Sequence, residues 1–154
     1  MNVMGIDPGM TGAIAVIGDS RQEVYDMPVG SVQIGKTARN RIIPELLARL
    51  IRDLMPVDVC YIEEVSSMPN QGISGAFAFG QSHGLVLGAV ATTGTRIVRL
   101  RPQMWQRAIK ATKDPRVRAL ELYPSFAGEL KRAKDEGRAD AILIARAGIE
   151  LEKQ

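Results

Sequence analysis

The chain is poor in the residues from which many enzyme sites are made. It holds a single cysteine, Cys60, and a single histidine, His83, in 154 residues. One cysteine excludes an internal disulfide, and one histidine argues against a zinc site of several protein ligands and against a Ser-His-Asp hydrolase. Long apolar runs are scarce as well. The longest, GLVLGAVA, falls well short of a membrane span, and no basic leader followed by an extended apolar segment opens the sequence. These absences predict a cytoplasmic protein with no membrane partner.

What is present is enough apolar material for a core. Hydrophobic residues make up 45% of the chain, which at this length predicts one domain spanning residues 1–154. The formal net charge is +3, and it is unevenly placed. Between Arg99 and Arg138 eleven Lys and Arg residues face five Asp and Glu, leaving the rest of the chain net acidic. A basic stretch of this kind is either a solvated helix face or the footprint of a polyanionic partner.

The pattern of apolar residues predicts an α/β chain. NVMGID, GAIAVIG and QEVYDMP are short runs separated by turn residues, which fits a three-stranded meander. Asp7-Pro8-Gly9 reads as its first turn, with Pro8 setting φ and Gly9 supplying a positive φ. Helical spacing of Ile42, Ile43, Leu46, Leu47, Leu50, Ile51 and Leu54 predicts a helix from about Arg39 to Met55, ending before Pro56. VDVCYIEEV reads as a fourth, buried strand, and TRIVRL as a fifth. Between them, SSMPNQG is a polar loop and ISGAFAFGQSHGLVLGAVATTG a helix. Gly80, Gly84 and Gly88 leave one face of that helix bare, suited to packing on the sheet or on another subunit. Short helices follow through RPQMWQRAIK and Pro115 to Leu130, and a last helix runs from about Gly137 to Leu151.

Carboxylates then stand out in apolar surroundings. Asp7 ends the first strand, Glu63 and Glu64 end the fourth, and Asp140 lies in RADAILIA at the start of the last helix. Singly, they fit a turn former, a solvated strand end and a partner for a helix N-terminus. If the first and fourth strands are parallel neighbours, however, their carboxyl ends lie side by side, where α/β proteins place their sites. Clustered acids repel unless a cation neutralises them, and oxygen donors without His or Cys suit magnesium or manganese. Two such ions can activate a water on one side of a phosphodiester and stabilise the leaving oxygen on the other. A basic segment beside them would hold the polyanion.

Five segments in order, GIDPGMTG, YIEEV, FGQSHGLVLGAV, VRLRPQMWQRAI and GRADAILIA, resemble the RuvC-type Holliday-junction resolvases of the ribonuclease H-like superfamily, particularly their small phage and prophage relatives. The resemblance implies a five-stranded mixed sheet flanked by helices, a homodimer, and magnesium-dependent symmetric nicking of a four-way DNA junction, with manganese as a substitute ion. By position it assigns metal coordination to Asp7, Glu63 and Asp140. Glu64 points to the opposite face of its strand from Glu63.

Two departures accompany the resemblance. Well-known members carry a further acid three residues before the last aspartate, where this chain has Gly137. Glu136, one helical turn before Asp140, is the expected fourth ligand, with Asp135 as the alternative. Where some members place an aromatic wedge after the catalytic strand, this chain has Ser66 and Ser67, leaving Met68, Phe77 or Phe79 as substitutes or as core. Lys110 and Lys113 are the first phosphate-binding candidates, with Arg101, Arg116 and Arg118 further along the backbone path. Trp105 is expected to be a core anchor. Two other readings stand beside this one: an actin-like phosphotransferase, because DPGMTG resembles a phosphate loop, and a non-catalytic DNA-binding module that has lost a ligand.

Overall fold

A computed structural model describes residues 1–64 and 72–153. Strands β1 (Val3–Ile6), β2 (Ala13–Ile17) and β3 (Gln22–Asp26) form the expected meander. A hairpin, β4 (Val29–Ile34) and β5 (Thr37–Ile42), follows, then helix α1 (Pro44–Asp53), strand β6 (Val59–Glu63), helix α2 (Ile73–Ala91) and strand β7 (Arg96–Leu100). Helices α3 (Pro102–Ala108), α4 (Pro115–Leu122) and α5 (Glu136–Leu151) complete the chain, with short 3-10 turns before α5. The main sheet has five strands in the order β3-β2-β1-β6-β7. The meander is antiparallel, whereas β1 pairs parallel with β6 and β6 with β7, which gives the mixed sheet expected.

Strand alternation sorts the core into two layers. Val3, Ala13, Ala15, Ile17, Val59 and Tyr61 pack with α3, α4 and α5. Met4, Ile6, Ile14, Val16, Cys60 and Ile62 face the other way, towards Leu47 and Ile51 of α1 and Val86 and Val90 of α2. Helix α5 is the most enclosed: Ile142, Leu143 and Ile144 are all 0% exposed, each contributing about 2 kcal/mol through burial. Its backbone lies so close to β1 that a Cβ on Gly5 would sit 2.3 Å from the Ala141 carbonyl oxygen. That close approach brings the start of α5 to the end of β1. Cys60 is wholly buried, and burial pushes its thiol up to about 12, so it has no nucleophilic role.

Two local expectations are corrected. The helix expected from Arg39 begins instead at Pro44, and Arg39–Ile42 belongs to β5. Proline disfavours helical backbone in the residue before it, and Ile43 is accordingly extended at φ −89° and ψ 109°. The hairpin itself turns at Gly35-Lys36, where Gly35 has φ +61°. The second correction concerns Gly9, which is not among the residues of positive φ. The first turn is closed by the Gly12 N–H donating to the Gly9 carbonyl at 3.0 Å. Glycine is required at position 12, because a Cβ there would lie 2.2 Å from the Asp7 carbonyl oxygen. Helix α2, at 19 residues, is long and apolar enough by length and composition to cross a membrane, contrary to the reading of its apolar run. It packs against α1 and buries Val86 and Val90 in the second core layer.

Candidate active site

Register and parity bring the acids together. Ile6 of β1 pairs with Ile62 of β6, so Asp7 and Glu63 continue two parallel strands side by side. Both carry the parity of Val3, Val59 and Tyr61, the residues that face α5. Glu64 has the opposite parity and forms an ion pair with Arg101 at 3.3 Å. Asp140, on the first turns of α5, meets the Asp7-Glu63 pair from the α5 side, and Glu136 lies one turn earlier. Glu136 and Asp140 line a cleft of about 260 Å³ with Asp7 and Thr11. The same two acids border a second cleft with Trp105 and Lys113.

The electrostatics of the group follow from its burial. Burial raises the carboxyl of Asp7 above its ordinary value, while the Gly9 N–H, donating to Oδ1 at 3.1 Å, opposes the rise. Glu63 is raised by burial and by the neighbouring charge of Asp7, and the Trp105 Nε1–H donating to Oε1 at 2.9 Å works against both. Asp140 is raised to about 7, first by burial and then by the charges of Asp7, Glu63 and Glu136. Four acids thus crowd one edge of the sheet with too little positive charge to balance them.

This donor set suits a hard divalent cation. It is all oxygen, it is partly withdrawn from water, and a cation would relieve the repulsion that lifts Asp140. Among the described residues no three His, Cys, Asp or Glu side chains are drawn into a closed cage as they stand. Mutual repulsion of uncompensated carboxylates opposes such gathering. The residues that would hold the ion are Asp7, Glu63 and Asp140, with Glu136 beside them.

The fourth-acid question has a steric side. A Cβ on Gly137 would lie 2.2 Å from the Thr11 carbonyl oxygen and 2.9 Å from the Gly12 Cα. Backbone occupies the space, so this chain has no room for an acid at that position. Asp135 is turned away: it is 3% exposed and accepts the backbone N–H of Arg132 at 2.8 Å together with that guanidinium. Those contacts hold its carboxyl down to about 2. Of the two alternatives, the structure brings Glu136 to the cluster and commits Asp135 to a turn.

The basic candidates divide similarly. Lys113 lines the cleft beside Glu136 and Asp140. Lys110 is exposed just after α3, with a left-handed φ of 51°. Arg116 is paired with Asp114, the N-cap of α4, at 2.6 Å. Arg118 donates to the Ile109 carbonyl at 2.7 Å and to Glu121 at 2.8 Å, and Arg101 is held by Glu64. Lys134, which the basic stretch contained without distinction, lines the cleft of Asp7 and Asp140. Trp105 is the anchor expected, 3% exposed, but its tether to Glu63 was not visible in the sequence. Ser66, Ser67 and Met68 lie outside the described residues. Phe77 is 72% exposed rather than in the core, and Phe79 is half-buried.

No protein-family model matches the sequence. The chain is 27% identical over 155 residues to the crossover junction endodeoxyribonuclease RuvC of Moorella thermoacetica, across 94% of this chain and 89% of that protein. Its fold matches that of T. thermophilus RuvC in complex with a Holliday junction substrate, with a TM-score of 0.68 at 18% identity, over 99% of this chain and 95% of that one. A second Thermus thermophilus RuvC structure matches with a TM-score of 0.63 at 19% identity, over 99% and 96% of the two chains. The chain is thus similar in sequence to a RuvC protein over nearly its full length, and its five-stranded mixed sheet with flanking helices shares the ribonuclease H-like fold of the RuvC structures.

Proposed function

We propose that the protein is a magnesium-dependent endonuclease that resolves four-way DNA junctions by symmetric hydrolysis of two phosphodiesters. One observation carries the reading: Asp7, Glu63, Glu136 and Asp140 converge on one sheet edge beside Lys113 and Lys134, with a charge imbalance that lifts Asp140 to about 7. Magnesium, or manganese in its place, supplies Lewis acidity and lowers the pKa of a nearby water when bound. The chain's own residues do the rest. The Gly9 N–H and the Trp105 indole fix the carboxylates of Asp7 and Glu63, which limits their reorganisation when a phosphate arrives. Lys113 and Lys134 flank the acids and draw the polyanion to them. A panel of four-way junctions, flaps and plain duplexes, incubated with magnesium, tests the reading. Paired nicks in the junction are expected; intact strands throughout would reduce the protein to a binding module.

A two-fold symmetric substrate suits a two-fold symmetric dimer. The surface that supports one is α2. Ile73 and Phe77 are 91% and 72% exposed, and at helical spacing they continue the line of Gly80, Gly84 and Gly88. A Cβ on any of these three glycines would meet open space. Gly84→Leu therefore leaves the fold intact but puts bulk where the partner helix must approach. Sedimentation of that variant as a folded monomer is expected, and a folded dimer would move the interface elsewhere. A DNA substrate of this kind places the protein in the cytoplasm.

A further inference from the structure

The β4–β5 hairpin takes no part in the main sheet, and its composition is unlike that of the rest of the first half of the chain. No acidic residue lies between Asp26 and Glu45, whereas Lys36, Arg39 and Arg41 fall within six positions. Every residue from Ser31 to Asn40 is exposed. Among the described residues none of the three cations enters an ion pair. The register pairs Val32 with Arg39 and Gly30 with Arg41, so both arginines project from one face, with Val32 and Ile34 beside them.

The root of the hairpin is fixed at the catalytic edge. Asp26, at the end of β3, pairs with Ala13, whose carbonyl accepts the Asp7 N–H at 3.1 Å. The Met27 N–H donates to the Gly12 carbonyl at 3.0 Å, and the Ile43 N–H closes the base by donating to the Pro28 carbonyl at 2.9 Å. The ribbon therefore leaves the protein next to the loop that carries Asp7. Six residues of strand reach about 20 Å, and a two-stranded ribbon is of a width that a DNA major groove admits.

We propose that this hairpin is a DNA-contacting arm that holds the duplex flanking the scissile phosphate, through Lys36, Arg39 and Arg41. The proposal rests on the junction-cleaving reading above and extends its contacts beyond the acid cluster. Charge decides the occupant: a face with several unpaired cations and no acid fits a phosphate backbone better than a second copy of the same basic ribbon.

The test compares Lys36→Gln/Arg39→Gln/Arg41→Gln with its parent, both carrying Asp7→Asn so that the DNA stays uncut. Binding to a long-armed four-way junction is followed over a salt series without divalent cations. Roughly 10- to 100-fold weaker binding at about 0.1 M salt is expected, with the slope of log affinity against log salt smaller by about 2 to 3. Arg39→Gln alone should lower the slope by about one. With Asp7 restored, the concentration of triple variant needed for half-maximal junction cleavage should rise by the same roughly 10- to 100-fold factor as the binding loss. Unchanged affinity and slope would overturn the arm. So would a triple variant that loses affinity only because it sediments as a monomer, which would make the hairpin a contact between copies. A parent that fails to bind junction DNA would overturn the arm and the nuclease reading together.

Discussion

Asp140→Asn should lower strand cleavage by about three orders of magnitude or more, and yet raise the melting temperature of the cation-free protein at pH 8. Both effects come from the same carboxylate. Burial and three acidic neighbours raise Asp140 from 3.8 to about 7, so the folded chain keeps a proton that the unfolded chain releases. The stability associated with that proton is fully present below about pH 4 and is lost as pH rises through about 7. At pH 8 the wild-type fold carries an ionised acid among other acids, whereas asparagine is neutral and of nearly the same shape. A shift of three units bounds the gain at about 4 kcal/mol, and relaxation of the half-open cleft reduces it to about 1–3. Thermal melts at pH 4 and pH 8 without divalent cations separate the outcomes. The variant and wild type should melt together at the lower pH and apart at the higher. An equal gain at both would assign the effect to packing. Magnesium should recover the wild type's stability at pH 8 through preferential binding to the folded chain, and should do so far less for the variant.

Gly137→Asp should not add a ligand. It should cost the fold about 2–4 kcal/mol and most of the cleavage activity, although the resemblance to RuvC-type resolvases implies an acid at that position. The obstacle is the Cβ, which would meet the Thr11 carbonyl oxygen at 2.2 Å and the Gly12 Cα at 2.9 Å. Both are backbone, so either the first turn of α5 or the loop carrying Asp7 must move. Movement of either separates Asp7 from Asp140. Gly137→Ala serves as the control: it has the same Cβ without charge, and most of the loss should already be present in it. Native melting temperature and full cleavage in Gly137→Asp would show that the loop yields freely, and would remove the steric reason for placing Glu136 in the fourth position.

The parts of this site that were legible in the sequence are those set by strand parity. Asp7 and Glu63 end apolar runs whose alternation fixes the face of each side chain, and parallel pairing of those runs follows from the order of elements. Asp140 stood out because it interrupts an apolar helix. The unread features depend on contacts distant in the chain or on weak patterns. Trp105 reaches Glu63 across 42 positions, which no local spacing reveals. The hairpin has too little apolar alternation to read as strands, and Ile42 and Ile43 lent themselves to the helical pattern that Pro44 in fact delays. Gly9 sits in a turn made by other means, while the steric demand for glycine lies at positions 12 and 137, where loop and helix touch. Arg116 and Arg118 read as free cations because their partners, Asp114 and the Ile109 carbonyl, are set by local folding.

Four carboxylates on one sheet edge, Asp7, Glu63, Glu136 and Asp140, should form a divalent-cation site. Crystals grown with manganese, measured at the manganese absorption edge, test it most directly. Anomalous density is expected between Asp7, Glu63 and Asp140, with Glu136 drawn towards it and Asp135 still paired with Arg132. Density at Glu64 or Asp135 instead, or none at this edge at saturating manganese, would contradict it.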